Sequence, residues 1–324
     1  MSSKTIDYLN IGLMLFACVL AFLLPFELFL FSYAVLGPLH YLTEITWLHK
    51  RDYFATSKFD YVWLVLISVL LFLFSYLFTD VPNAASICIL VSFALGLGFV
   101  IFDVFIYKLL VGFLSLGLAL VIQKTPFFFF TFGIFLPTLI HVFLFTGLFI
   151  LFGALKSKSI LGILSIVVFA LCAISFFVYT PEFSFYHLSD FVKSRFDKSG
   201  FALVNQAILY ILKLGEPSPN TVFHTSIGLG VMRFIAFAYT YHYLNWFSKT
   251  SVIKWHEVPK NWLISVVVLW VISVGLYAYD YGTGLVALYF LSMMHVLLEF
   301  PLNFRSIIGI GNEVKSILQG KANA

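Results

Sequence analysis

The sequence predicts an all-α, polytopic integral membrane bundle of about ten transmembrane helices. Of its 324 residues 61% are hydrophobic and 10% charged, with a mean hydropathy of +1.01. Those hydrophobic residues gather in repeated stretches of about 15 to 27, lengths that cross a bilayer and that soluble domains do not carry. Basic residues fall in the connections between stretches, the third observation.

Charges, prolines and turn residues cut the chain into spans at 9–23, 26–47, 61–79, 84–106, 109–123, 127–153, 159–179, 224–247, 262–279 and 282–302. The first run re-enters the membrane almost at once after Pro25, with no polar mature start, so it reads as an uncleaved helix and not a signal peptide. Lys50 and Arg51 close the second span, and Asp80, Pro82 and Asn83 the third. The run from 84 to 123 is roughly twice what a bilayer needs at about 1.5 Å per residue. It must fold back, and Tyr107 and Lys108 are the expected turn. Lys124 and Pro126 open the sixth span, Lys156 and Lys158 close it, and Pro181 ends the seventh. Lys249 follows the eighth, Lys260 precedes the ninth, and Arg305 lies beyond the tenth.

With both termini cytoplasmic, thirteen basic residues face inward: Lys4, Lys50, Arg51, Lys58, Lys108, Lys156, Lys158, Lys249, Lys254, Lys260, Arg305, Lys315 and Lys321. Five face outward: Lys124, Lys193, Arg195, Lys198 and Lys213. Arg233 stays inside a helix. This asymmetry predicts both ends in the cytoplasm, as for a bacterial inner membrane protein. The long loop at about 180–223 is then extracytoplasmic, and a short cytoplasmic tail runs from about 303 to 324. Within the loop, 201–214 has apolar residues at helical spacing, suiting either a helix on the membrane surface or an ordinary packed helix. Residues 1–324 form a single transmembrane domain. The net charge of +4 is a loop property, so nucleic acid is not an expected partner. Cys18, Cys88 and Cys172 lie in separate spans without paired spacing, indicating neither a disulfide framework nor a thiolate zinc site.

Ionisable residues inside a membrane are costly and mark candidate sites. His40 and Glu44 stand one helical turn apart, and His295 and Glu299 repeat the step near the other end. The even-numbered spans run outside to inside and carry His40, Asp103, His141, His242 and His295, whereas no odd-numbered span has a mid-membrane histidine. His40, His242 and His295 lie at a common depth of about 8 to 11 Å from the inner end. His141 lies deeper, at roughly 18 Å, unless its helix is tilted or broken at Pro137. Tyr33, Gly37, Thr43 and Glu44 share the His40 face; Ser292 and Glu299 that of His295; Tyr239 and Asn245 that of His242; Thr138 that of His141.

Three or four neutral imidazoles from different helices suit Fe(II) or zinc, with carboxylates ligating or orienting a ring N–H. Haem held by two of them, hydrogen-bonded interhelical contacts and a proton path are the other readings. Glu44 and Glu299 could equally cap the inner ends of their helices. Arg233, near the midplane, requires a partner: Asp103, a substrate carboxylate or a lipid phosphate. Most of the forty phenylalanines, Phe127 to Phe130 among them, need no explanation beyond contact with lipid.

The stretch Leu36-Gly37-Pro38-Leu39-His40-Tyr41-Leu42-Thr43-Glu44 resembles the early Gly-x-x-His-x-x-x-acidic element of the Brp/Blh carotenoid dioxygenases. Phe237 to Trp246, with His242 at its centre, is similar to their late aromatic helix, and Met293 to Glu299 to their final histidine helix. The resemblance covers about thirty residues. It implies a polytopic membrane enzyme whose helix-borne histidines hold iron and cleave β-carotene to retinal with dioxygen. His40 and His242 carry over as ligands, and His295 less directly; His141 joins them by depth alone. Two departures stand out: Trp246 replaces a second histidine of the late helix, and Tyr41 replaces a glycine. The expectation is a non-haem iron oxygenase taking a hydrophobic substrate from the bilayer, with membrane lipids as its surroundings, metal ligands among His40, His141, His242 and His295, and Glu44 and Glu299 beside them. Its rivals are a membrane subunit or transporter with a His/carboxylate relay, and an acyltransferase using His295 as base.

Overall fold

The computed structural model describes residues 3–179, 186–249 and 259–319. The described residues form no strand, and each expected span coincides with helix. In chain order these helices are α1 (Ser3–Leu23), α2 (Pro25–Phe31), a π-helical turn (Ser32–Leu36) leading into α3 (Gly37–His49), α4 (Asp60–Tyr76), α5 (Ala84–Ile101) and α6 (Phe105–Ile122). There follow α7 (Pro126–Phe128), a π-helical stretch (Phe129–Phe145), α8 (Thr146–Lys156), α9 (Ile160–Val178), α10 (Asp190–Ser199), α11 (Ala202–Ile211), α12 (Pro219–His224), α13 (Ser226–Ser248), α14 (Lys260–Tyr279) and α15 (Tyr281–Leu318).

Eight helical segments among the described residues are long and apolar enough to cross a membrane, and the chain is an integral membrane protein of the all-helical, polytopic class. The α4 helix falls just short of that length at 17 residues. The α13 helix has the length, but its arginine, histidine and asparagine lower its hydropathy. Lys254, Lys321 and residues 180–185 of the long loop lie outside the described residues.

The chain forms two compact units, residues 1–40 with 153–288 and residues 41–152 with 289–324. In the first, α13 is the axis. Helices α1, α2, α9, α11 and α12 pack on it, and it is buried on almost every side. A helix so enclosed can carry polar residues that a lipid-facing helix cannot. The α11 helix covers it with Val204, Asn205 and Ile208 buried, while Leu203, Tyr210 and Ile211 remain exposed. Of the two readings of 201–214, the inner face is that of a packed helix. A polar tie holds this outer layer: Lys198 Nζ donates to Asp280 Oδ2 at 2.9 Å. Asp280 also accepts the Thr283 N–H at the start of α15, a side-chain N-cap.

In the second unit α5 packs against α4, α6 and the π-helical stretch. The fold-back of the 84–123 run falls at 102–104, where Phe102 and Val104 have extended backbone, and not at Tyr107 and Lys108. Two contacts explain the correction. Thr56 binds the end of α5, its N–H on the Phe99 carbonyl at 2.9 Å and its hydroxyl on that of Phe102 at 2.7 Å. Lys108 turns inward to Asp60 Oδ2 at 2.6 Å and Ser57 Oγ at 2.9 Å, which keeps it in the first turn of α6. Asp103 lies exposed in the turn, not on a buried helix face.

Gly96 brings α5 against α15. A Cβ there would meet Phe300 Cβ at 2.7 Å and the Phe300 carbonyl carbon at 3.2 Å, so only glycine admits this approach. The α15 helix runs through Pro301 to Leu318, and residues 303–318 of the expected tail extend it.

Candidate metal centre

Each unit brings two of the four expected histidines together. In the first, His40 stands in the opening turn of α3 and His242 on α13. Their Nε2 atoms are 3.0 Å apart, and the rings meet edge to face at 4.6 Å. Ser32, in the π-helical turn before α3, and Thr240, two residues before His242 on α13, bond through their hydroxyls at 2.8 Å. Trp246 stands edge-on to His40 at 5.5 Å and Tyr243 leans on it at 5.1 Å. Gly37, one turn before His40, leaves room for the Tyr243 hydroxyl, which a Cβ would meet at 3.2 Å.

In the second unit, His141 Nε2 lies 3.2 Å from His295 Nε2, and His141 Nδ1 lies 3.0 Å from Glu299 Oε2. Sequence depth placed His141 poorly. Here it sits in the π-helical stretch around Pro137, whose ring removes an N–H from the ladder and whose wider turn shifts the residues after it. Tyr41 packs against His295 at 5.7 Å. Glu44 and Glu299 are 2% and 1% exposed. Two neighbouring carboxylates in so dry a place require a proton or a cation to offset the cost.

Both pairs have spacings that suit metal ligands. At a metal–nitrogen length of about 2.1 Å, nitrogens 3.0 and 3.2 Å apart subtend roughly 90 to 100°, the angle between adjacent ligands of an octahedron. A carboxylate 3.0 Å from His141 Nδ1 stands where outer carboxylates orient metal-bound imidazoles. Glu299 stands beside this ring in the interior of α15, which runs on to Leu318, and not at a helix end. The alternative within each pair is an N–H···N hydrogen bond, with one ring donating.

Sequence reasoning missed Asn303. It lies one turn beyond Glu299 and is 1% exposed, with neither amide atom hydrogen-bonded. Ser292, His295, Glu299, Asn303 and Ser306 form one buried polar stripe along α15, a signal the 3.6-residue period carried past Pro301. Arg233 is buried on α13 and donates Nε to the Phe22 carbonyl at 3.2 Å, where α1 ends one residue before the break at Leu24. Its partner there is a helix-end carbonyl, a cation at a helix C-terminus. Cys18 Sγ lies 3.8 Å from the Ser175 hydroxyl, and Cys18 and Cys172 are free thiols.

Comparison with protein-family models, curated proteins and solved structures gives no match.

Proposed function

We propose that this chain is a membrane-embedded non-haem iron oxygenase acting on a hydrophobic lipid, with oxidative cleavage of a carotenoid to retinal-like aldehydes as its reaction. The observation that carries the reading is the pairing of His40 with His242 and of His141 with His295, each at a spacing that suits adjacent ligands of a metal ion. Imidazoles drawn from these four residues would hold Fe(II). Iron bound there would supply activation of dioxygen. The protein's part is to hold and to exclude. Glu299 keeps the proton on His141 Nδ1, and Glu44 adds the second carboxylate. Tyr41, Tyr243 and Trp246 wall the rings, and the buried surroundings keep water from a reactive intermediate. The substrate and dioxygen both reach such a site from the bilayer. Both termini lie in the cytoplasm of a bacterial inner membrane, and 180–223 lies outside.

A second reading is favoured by the contact between Glu299 and His141. With His295 it makes a run of titratable groups, as a proton or ion relay in a membrane subunit or transporter requires. Elemental analysis of the detergent-purified protein beside His242→Ala and His295→Ala separates the two. Near-stoichiometric iron lost in the variants supports the oxygenase. Absence of metal from all three proteins supports the relay.

A further inference from the structure

The second unit has a cavity of about 460 Å³ between α4, α5 and α6, within the range of small-molecule sites. Its wall on α5 runs from Ala84 to Phe99, fifteen steps or about 22 Å of helix. Cys88, Leu95 and Phe99 on the floor are buried, whereas Trp63, Leu70 and Phe113 on the rim are 41%, 45% and 69% exposed. The cleft is therefore long and narrow, and it opens sideways, toward what is hydrocarbon in a membrane protein.

We propose that this cleft takes up one long, neutral hydrocarbon from the bilayer, an isoprenoid or polyene without a charged head group. Charge argues for neutrality. Lys108 is the one charged side chain in the wall, and its ammonium is already held by Asp60 at 2.6 Å and Ser57 at 2.9 Å, with 2% exposure. A phospholipid chain seated here gains no partner for its phosphate, while a hydrocarbon gains contact along four helical turns and leaves no polar group unpaired. Position argues for a use. Cys88 on the floor belongs to the same packed cluster as Val296, Leu297 and Phe300 of α15, and Ile67 and Phe74 pack against that cluster. The floor of the cleft thus belongs to the same packed cluster as the turn of α15 between His295 and Glu299. That the occupant is the substrate awaiting reaction rests on the oxygenase reading; its binding does not.

The test is binding of β-carotene to the purified protein in neutral detergent without dioxygen, read as quenching of tryptophan fluorescence. The variant is Gly112→Phe. A Cβ at Gly112 meets only Leu95 Cδ2 and Cγ, at 3.4 and 4.0 Å, so the added ring fills the cleft without displacing backbone. The expected result is binding to the native protein, weakened about tenfold or more in the variant, and unmoved by excess phosphatidylcholine. Equal binding by the variant overturns the cleft as the site, and displacement by phosphatidylcholine overturns the neutral occupant. Gly112→Leu, a smaller plug, carries the same test should the phenylalanine prevent folding. Iron content measured on the same samples reads the metal centre separately, so loss of polyene binding with iron retained counts only in favour of the cleft.

Discussion

Glu299 Oε2 lies 3.0 Å from His141 Nδ1, with both side chains almost wholly buried. The proposed metal site has this carboxylate keep the proton on His141 Nδ1, which leaves the Nε2 lone pair for the metal. Removing it by Glu299→Ala should lower metal affinity about 10- to 100-fold, as loss of outer-sphere partners does. Glu299→Gln, whose amide oxygen can still accept, should lose less. Metal titration of the two variants checks this, and equal, unaltered affinity in both would remove Glu299 from the site.

Lys108 and Asp60 are a buried ion pair, 2% and 5% exposed at 2.6 Å. Lys108→Met or Asp60→Leu alone leaves an unpaired charge in a dry place and should cost about 3 to 5 kcal/mol, whereas the double variant should recover most of the loss. A thermodynamic cycle of unfolding in detergent measures it. Additive losses in the double variant would show that the pair is not coupled.

Gly96 holds α5 against the Phe300–Pro301 turn of α15. Gly96→Val should push the helices apart at a cost of about 1 to 3 kcal/mol. Because that turn follows Glu299 directly, metal binding should weaken together with thermal stability. A variant that loses neither would mean the approach can relax elsewhere.

The Lys198 ammonium beside Asp280, and then the Thr283 N–H, hold the Asp280 carboxyl at about 2, below its ordinary 3.8. A folded value below the unfolded one means that the contact stabilises fully above about pH 4 and is lost as pH falls through about 2. The difference in melting temperature between the native protein and Asp280→Asn should therefore be constant above about pH 4 and shrink below it. A difference that grows on acidification would contradict the assignment.

Lys58 and Lys124 are both exposed, in the connection before α4 and the connection after α6 respectively. With cytoplasmic termini, a cysteine at Lys124 should react with impermeant reagents added to intact cells, and one at Lys58 only after lysis. The reverse pattern would invert the topology.

Hydropathy, with charges, prolines and turn residues as boundaries, was enough to place the helices, eight of which are long and apolar enough to cross a membrane among the described residues. Backbone groups in hydrocarbon must bond within their own helix, so an apolar run of bilayer length is committed before any tertiary contact forms. The His-x-x-x-Glu steps were legible for a related reason, since buried ionisable groups stand out against lipid. Which histidines meet was another matter. Depth set three of them together and left His141 apart unless its helix was tilted or broken at Pro137, where a π-helical stretch changes the rise and rotation that counting residues assumes. The fold-back at 102–104, the inward turn of Lys108 and the role of Gly96 depend on partners up to about two hundred residues away. Side-chain pairing of that kind has no local period, and packing selects it. The sequence by itself determined a polytopic helical membrane protein with ionisable groups on inward faces. Only the tertiary structure decided the pairs His40 with His242 and His141 with His295, and the carboxylate that stands beside His141, because a distance between ring nitrogens is set by how helices cross and not by where residues fall along them.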